Sequence, residues 1–248
     1  MHTVTVREAL GTLEALPFAG LNTLTGGRPL LVVAPHPDDE SLGCGGLIAA
    51  AHAAGQRVHV LVVSDGCGSH PGSRAYPPDR LRALREQEAI AAVAELGLAA
   101  DNVSFLGLPD QRVPTSGPVF EDAIAAVVRL AHAIDAGAVA VTWHEDPHCD
   151  HRASYAIAHM ACSQMPRVRL WAYPVWAWRL PPGDTLLGRP RGVRLDIVPY
   201  LAAKRAAIRA HRSQTTDLIA DARKTFRLDE TMLRLADRPF EVFLEPCP

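Results

Sequence analysis

Short apolar runs recur along the 248-residue chain, and stretches with apolar positions three and four apart separate them. The runs at 30–34, 58–63, 103–106, 138–143 and 168–174 are continuous and rich in Val, Leu and Ala, as in strands buried on both faces of a parallel sheet. The spacing between them predicts helices over 46–54, 78–96, 120–134 and 150–165. Residues 1–29 form a mixed lead-in with a short helix at 6–16. The Pro- and Gly-rich segment 181–190 reads as a loop. Residues 193–198 alternate like a half-buried strand, 204–214 read as a helix end, 217–237 as a helical tail and 240–244 as a last strand. Strands alternating with helices predict an α/β fold: three layers, Rossmann-like, with a mainly parallel sheet and helices on both faces. No repeat, low-complexity tract or linker divides the chain, so residues 1–248 read as one domain.

Composition narrows the function. With 48% hydrophobic and 21% charged residues the chain can build a sizeable core, and a formal net charge of −2 leaves no footprint for nucleic acid. Five scattered cysteines (Cys44, Cys67, Cys149, Cys162, Cys247), with no C-x-x-C, suit reduced thiols better than a disulfide framework. The start lacks the order of a signal peptide, and no apolar run is long enough to span a membrane. The expectation is a cytoplasmic protein acting on a small molecule; monomer and homo-oligomer stay open.

Two polar clusters interrupt this plain pattern. The first run ends in His36-Pro37-Asp38-Asp39-Glu40, and the fourth in Trp143-His144-Glu145-Asp146-Pro147-His148-Cys149-Asp150-His151. Both lie at a strand end before a helix, where open α/β sheets bind ligands. Three adjacent carboxylates repel one another unless a cation or buried hydrogen bonds hold them. His36 and Asp39 are ligand types that zinc accepts, and a second adjacent acid leaves one carboxylate free for proton transfer. His148 and His151, three apart at a helix start, lie on one face. The residues alone point to a metal hydrolase. They do not choose between His148 and His151 as ligand, and His144 is a third candidate, better explained by packing. Ser64–Ser69 and His70-Pro71-Gly72 lack a phosphate-binding signature and read as a loop able to close over substrate.

The two clusters resemble the signature motifs of the LmbE/PIG-L zinc-dependent de-N-acetylases, which include deacetylases of N-acetylglucosaminyl phosphatidylinositol and of mycothiol and bacillithiol precursors. The resemblance implies Zn2+, or another divalent ion, on His36, Asp39 and His151. It implies Asp38 as general base, His148 as donor to the oxyanion, and Asp150 as the carboxylate orienting His148 or a ligand histidine. It extends to Arg85, Glu86 and Glu88, to Gly107-Leu108-Pro109-Asp110, and to Lys204 with His211-Arg212-Ser213-Gln214. Roles for Asp110, His144, His211, Trp176 and Trp178 stay unassigned. The expected substrate is an N-acylated amino sugar or its conjugate. The competing readings are an amidase or deacylase on another amide in thiol or natural-product metabolism, and a sugar- or metal-binding protein without turnover.

Overall fold

The computed structural model describes residues 3–246; Cys247 lies outside them. The strands are β1 (Thr3–Thr5), β2 (Leu30–Ala34), β3 (Val58–Ser64), β4 (Val103–Leu108), β5 (Ala138–Thr142), β6 (Arg169–Tyr173), β7 (Thr185–Leu187), β8 (Gly192–Asp196) and β9 (Phe240–Leu244). The helices are α1 (Val6–Ala15), α2 (Leu21–Thr25), α3 (Asp39–Ala53), α4 (Pro78–Glu95), α5 (Pro118–Ile134), α6 (Cys149–Ser163), α7 (Leu201–Ala210), α8 (Arg212–Thr215) and α9 (Glu230–Ala236).

Seven strands form one sheet in the order β4-β3-β2-β5-β6-β9-β8. The five strands from β4 to β6 are parallel, and β9 pairs antiparallel with β6 and β8. Alternate residues of β2 serve opposite layers. Leu30 and Val32 pack with α3, α4, α7 and α9, whereas Leu31 and Val33 pack with α5 and α6. This period-two division of a continuously apolar strand is the expected three-layer α/β sandwich. The strand order reverses between β2 and β5, so their carboxyl ends frame the crevice where such sheets bind ligands. The two polar clusters sit there.

Three expectations need correction. The helix placed at 46–54 begins at Asp39, and Gly43, Gly45 and Gly46 lie inside it as packing contacts. An added Cβ would lie 2.2 Å from Tyr173 Cδ2 at Gly43 and 2.3 Å from Ile197 Cγ2 at Gly46. The tail is not helical from 217; its helix is α9, and residues 217–228 lie across other loops, with the N–H of Arg223 donating to Pro71 O and that of Phe226 to Ser69 O. The loop at 181–190 contains β7, which pairs antiparallel with β1.

Candidate active site

Strand β2 ends at Ala34 and delivers His36, Asp38 and Asp39 into the crevice before α3 begins. Asp39 is buried in the first turn of α3. Its Oδ2 accepts the His36 backbone N–H at 3.0 Å and lies 3.1 Å from His36 Nδ1 and 3.2 Å from His151 Nε2. Burial would raise this carboxyl, but the imidazoles, His151 foremost, hold it well below the usual range. Asp38 adopts φ 149°, a backbone state that L residues rarely occupy. Its N–H donates to Glu40 Oε2 at 3.0 Å, and its Oδ2 lies 3.3 Å from Arg85 Nη2. Arg85, itself buried, also donates to Pro37 O and Gly66 O. Burial pushes the Asp38 carboxyl up to about 6, with Arg85 pulling the other way. Strained backbone of this kind collects at functional sites.

Strand β5 supplies the second half. His148 caps α6, its Nδ1 accepting the Asp150 N–H, and its ring meets His36 edge-on with centroids 4.6 Å apart. Burial, together with the nearby His36 and His151, pulls His148 down to about 4. His151 is fully buried. Its Nδ1 lies 2.8 Å from Asp146 Oδ2, while Nε2 has no hydrogen-bond partner among the described residues and faces Asp39. Asp150 Oδ2 lies 3.1 Å from His36 Nε2 and accepts the Gln111 N–H; Oδ1 accepts the Val113 N–H. Asp150 thus rests against His36, one of the two histidine options that the sequence left open. Asp110 also faces the site, with Oδ1 3.4 Å from His36 Nε2 and Oδ2 accepting the Gly68 N–H.

The donor set suits a divalent cation. Ring nitrogens of His36, His148 and His151 come within 4.8 Å of one another, as do donor atoms of His36, Asp110, His148 and Asp150. Asp39 Oδ2 bridges His36 and His151. The buried, unpartnered His151 Nε2 is the kind of orphaned atom that an ion satisfies. Against the cost of burial, carboxylates raise both His36 and His151, the latter to about 9.

Three supporting groups went unassigned in the sequence or were assigned only by resemblance. Asp146 lay inside the quoted cluster but nothing in its spacing marked it. His211 Nε2 lies 2.8 Å from Glu40 Oε1, which holds the residue after Asp39. Glu88 accepts both the N–H and the hydroxyl of Ser213, and Ser213 Oγ in turn accepts from Gln214 Nε2. Glu88 and Arg85 point inward as the resemblance implied, while Glu86 pairs with Arg82 on the surface side of α4. His144 lies outside the cluster and packs on Tyr155 at 4.9 Å between ring centroids. Trp176 lines the cavity, whereas Trp178 lies under the Arg238 guanidinium.

The cavity above these groups has a volume of about 600 Å³. Its floor is made by His36, Asp38, Asp39, Asp110 and His148, and its mouth by Arg152, Trp176, Lys224 and Phe226. No helix among the described residues is long and apolar enough to cross a membrane.

Comparison with known proteins agrees with this geometry. A 1D-myo-inositol 2-acetamido-2-deoxy-alpha-D-glucopyranoside deacetylase of Nocardia farcinica is 28% identical over 271 aligned residues, covering 86% of this chain and 87% of that protein. A probable N-acetyl-alpha-D-glucosaminyl L-malate deacetylase 2 of Bacillus subtilis is 28% identical, covering 82% and 91%. The fold of N,N'-diacetylchitobiose deacetylase from Pyrococcus horikoshii superposes with a TM-score of 0.63 at 22% identity, covering 88% of this chain and 84% of that one. The family described as PIG-L, GlcNAc-PI de-N-acetylase, matches residues 31–162, which run from β2 through nearly all of α6 and hold both polar clusters. The chain therefore belongs to the PIG-L family of de-N-acetylases.

Proposed function

We propose that the whole chain, residues 1–248, acts as one metal-dependent de-N-acetylase domain that removes an acetyl group from an N-acetylated amino sugar conjugate, with zinc as the ion. The observation that carries this reading is the meeting of His36, Asp39 and His151 with a second carboxylate, Asp38, beside them. His36, Asp39 and His151 would hold the ion, in the three-protein-ligand pattern of catalytic zinc. When bound, it supplies Lewis acidity to the amide carbonyl and makes water a stronger nucleophile near neutral pH.

The chain's own residues do the rest. Asp38, fixed by Arg85 and Glu40, takes a proton from the attacking water and returns it to the leaving amine. His148, on the opposite lip of the crevice, donates to the oxyanion as the carbonyl becomes tetrahedral. Asp150 and Asp146 fix the His36 and His151 rings, as carboxylates behind metal-binding histidines do. The relatives named for deacetylation of glucosaminyl conjugates support the substrate class.

The test is release of acetate and free amine from N-acetylglucosamine glycosides by the purified protein, before and after chelation. Asp38→Ala should retain the metal and lose at least about 100-fold in rate. His151→Ala should lose the metal by elemental analysis. Near-full activity in the first variant, or one equivalent of metal in the second, would overturn the corresponding assignment.

A further inference from the structure

A second cavity lies across the turn that leads from β5 to α6. Pro147 and His148, at the end of that turn, line the catalytic cavity, whereas Trp143 and His144, at its start, line the second one. The two share no lining residue. The second has a volume of about 470 Å³, within the range of small-molecule sites. Its other walls come from residues 187–191, between β7 and β8, and from 244–246, at the end of β9. Glu145 Oε1 accepts the Leu187 N–H at 2.8 Å and so ties the β7 wall to the turn.

The chemistry of these walls differs from that of the catalytic floor. Trp143 and Leu244, both buried, give an apolar surface. Arg189 and Arg191 face the same space, and neither guanidinium has a hydrogen-bond or carboxylate partner among the described residues. An exposed arginine without a partner is ordinary by itself. Two of them sharing one cavity with a buried indole are the combination that an amphipathic anion fits, its body on the ring and its charge on the guanidiniums.

The charge balance narrows the anion. Glu245 is the one carboxylate in the lining; its N–H donates to Arg191 O at 2.9 Å. Burial holds the His144 imidazole below its ordinary value, so it is neutral at pH 7. Two guanidiniums against one carboxylate leave room for a single negative charge, and a dianion would meet Glu245. A planar carboxylate also suits the fork geometry of arginine. Arg189 borders the groove along α1 that holds Glu8 as well, which leaves Arg191 as the principal anchor.

We infer that this second cavity binds a small organic monocarboxylate, with its apolar body on Trp143 and Leu244 and its carboxylate on Arg191 and Arg189, independently of the catalytic cavity.

The experiment titrates the full-length, metal-loaded protein with 2-naphthoate, its neutral isostere 2-naphthamide, and inorganic sulfate. Binding is read by calorimetry and located by the histidine ring signals in NMR spectra. 2-Naphthoate should bind with Kd of about 1 mM or tighter, and both controls should bind at least about fivefold more weakly. The His144 signal should move while that of His148 stays in place. Arg191→Glu should weaken naphthoate binding by at least about tenfold, and Arg191→Lys should keep it within about threefold of wild type. Arg191 is exposed, and near-ultraviolet circular dichroism should show the same fold in all three proteins. A shift of His148 with His144 unmoved would place the ligand in the catalytic cavity and overturn the inference. Equal binding of the amide, or unchanged binding in Arg191→Glu, would overturn it as well. The result does not depend on the deacetylase reading, since no step of the titration requires turnover.

Discussion

Four donors converge on the Asp146 carboxylate: His151 Nδ1 and the backbone N–H groups of Val175, Trp176 and Ala177, at 2.7–3.1 Å. The side chain is fully buried, so removing it strands all four. Asp146→Ala should therefore lower unfolding free energy by about 3–5 kcal/mol, read from urea denaturation of the metal-free protein. The same variant should bind metal about 10–100-fold more weakly. Sequence spacing could not single out this residue, because three of its four partners lie about thirty residues away, just beyond β6. His36, Asp38, Asp39, His148 and His151 were legible because each sits in a local run whose charge makes no sense for a turn. Among the described residues Cys44, Cys67, Cys149 and Cys162 are free cysteines. Burial pushes Cys162 and, with help from Asp65, Cys67 up to about 12, so at pH 8 both are protonated. Alkylation mapped by peptide mass should be slow at these two sites in the native protein and should accelerate as pH climbs towards that value or when the chain is unfolded.

Helix α3 shows what a glycine means when its surroundings are known. Gly43 sits against the Tyr173 ring, and the tyrosine hydroxyl, donating to Val33 O at 3.0 Å, keeps that ring from retreating. Gly43→Ala should cost about 1–3 kcal/mol through overpacking. Gly11 lies in the middle of α1 with nothing within 4 Å of an added Cβ, so Gly11→Ala should stabilise by about 0.5–1 kcal/mol. Thermal melts of the two variants should move in opposite directions. The seven strands of the main sheet and most helices followed from periodicity, since a two-sided sheet demands apolar runs, whereas the small β1–β7 pair did not. The start of α3 did not, because Gly43, Gly45 and Gly46 signal flexibility locally and close approach only once Tyr173, Lys204 and Ile197 are in place. The tail misread has the same origin: residues 217–228 have helix-compatible composition, but their hydrogen bonds go to distant loops.

Across the molecule, those bonds tie the loop after β3 to the segment before α9. Asp221 accepts from the Ser73 hydroxyl at 2.6 Å and from the N–H groups of Arg74 and Ala75, over a separation of about 150 residues that no sequence pattern announces. The Ser73 hydroxyl, then the N–H of Ala75, lower its carboxyl from 3.8 to about 2. A carboxyl lowered in the folded state adds support that is complete above 3.8 and disappears as pH falls towards 2. Hydrogen exchange in 71–77 and 219–228 should therefore stay slow at pH 5. After correction for the intrinsic exchange rate it should quicken between pH 4 and 2, and Asp221→Ala should show the fast behaviour at every pH. The family match ends at residue 162, yet Trp176, Gln214, Lys224 and Phe226 at the cavity wall all follow it. The floor groups that would handle the amide thus precede residue 163, and most of the wall that would meet the rest of the substrate follows it, Arg152 excepted. A recombinant joined between α6 and β6, taking its second part from a relative, should inherit that relative's choice of molecule while keeping its own way of cutting the amide.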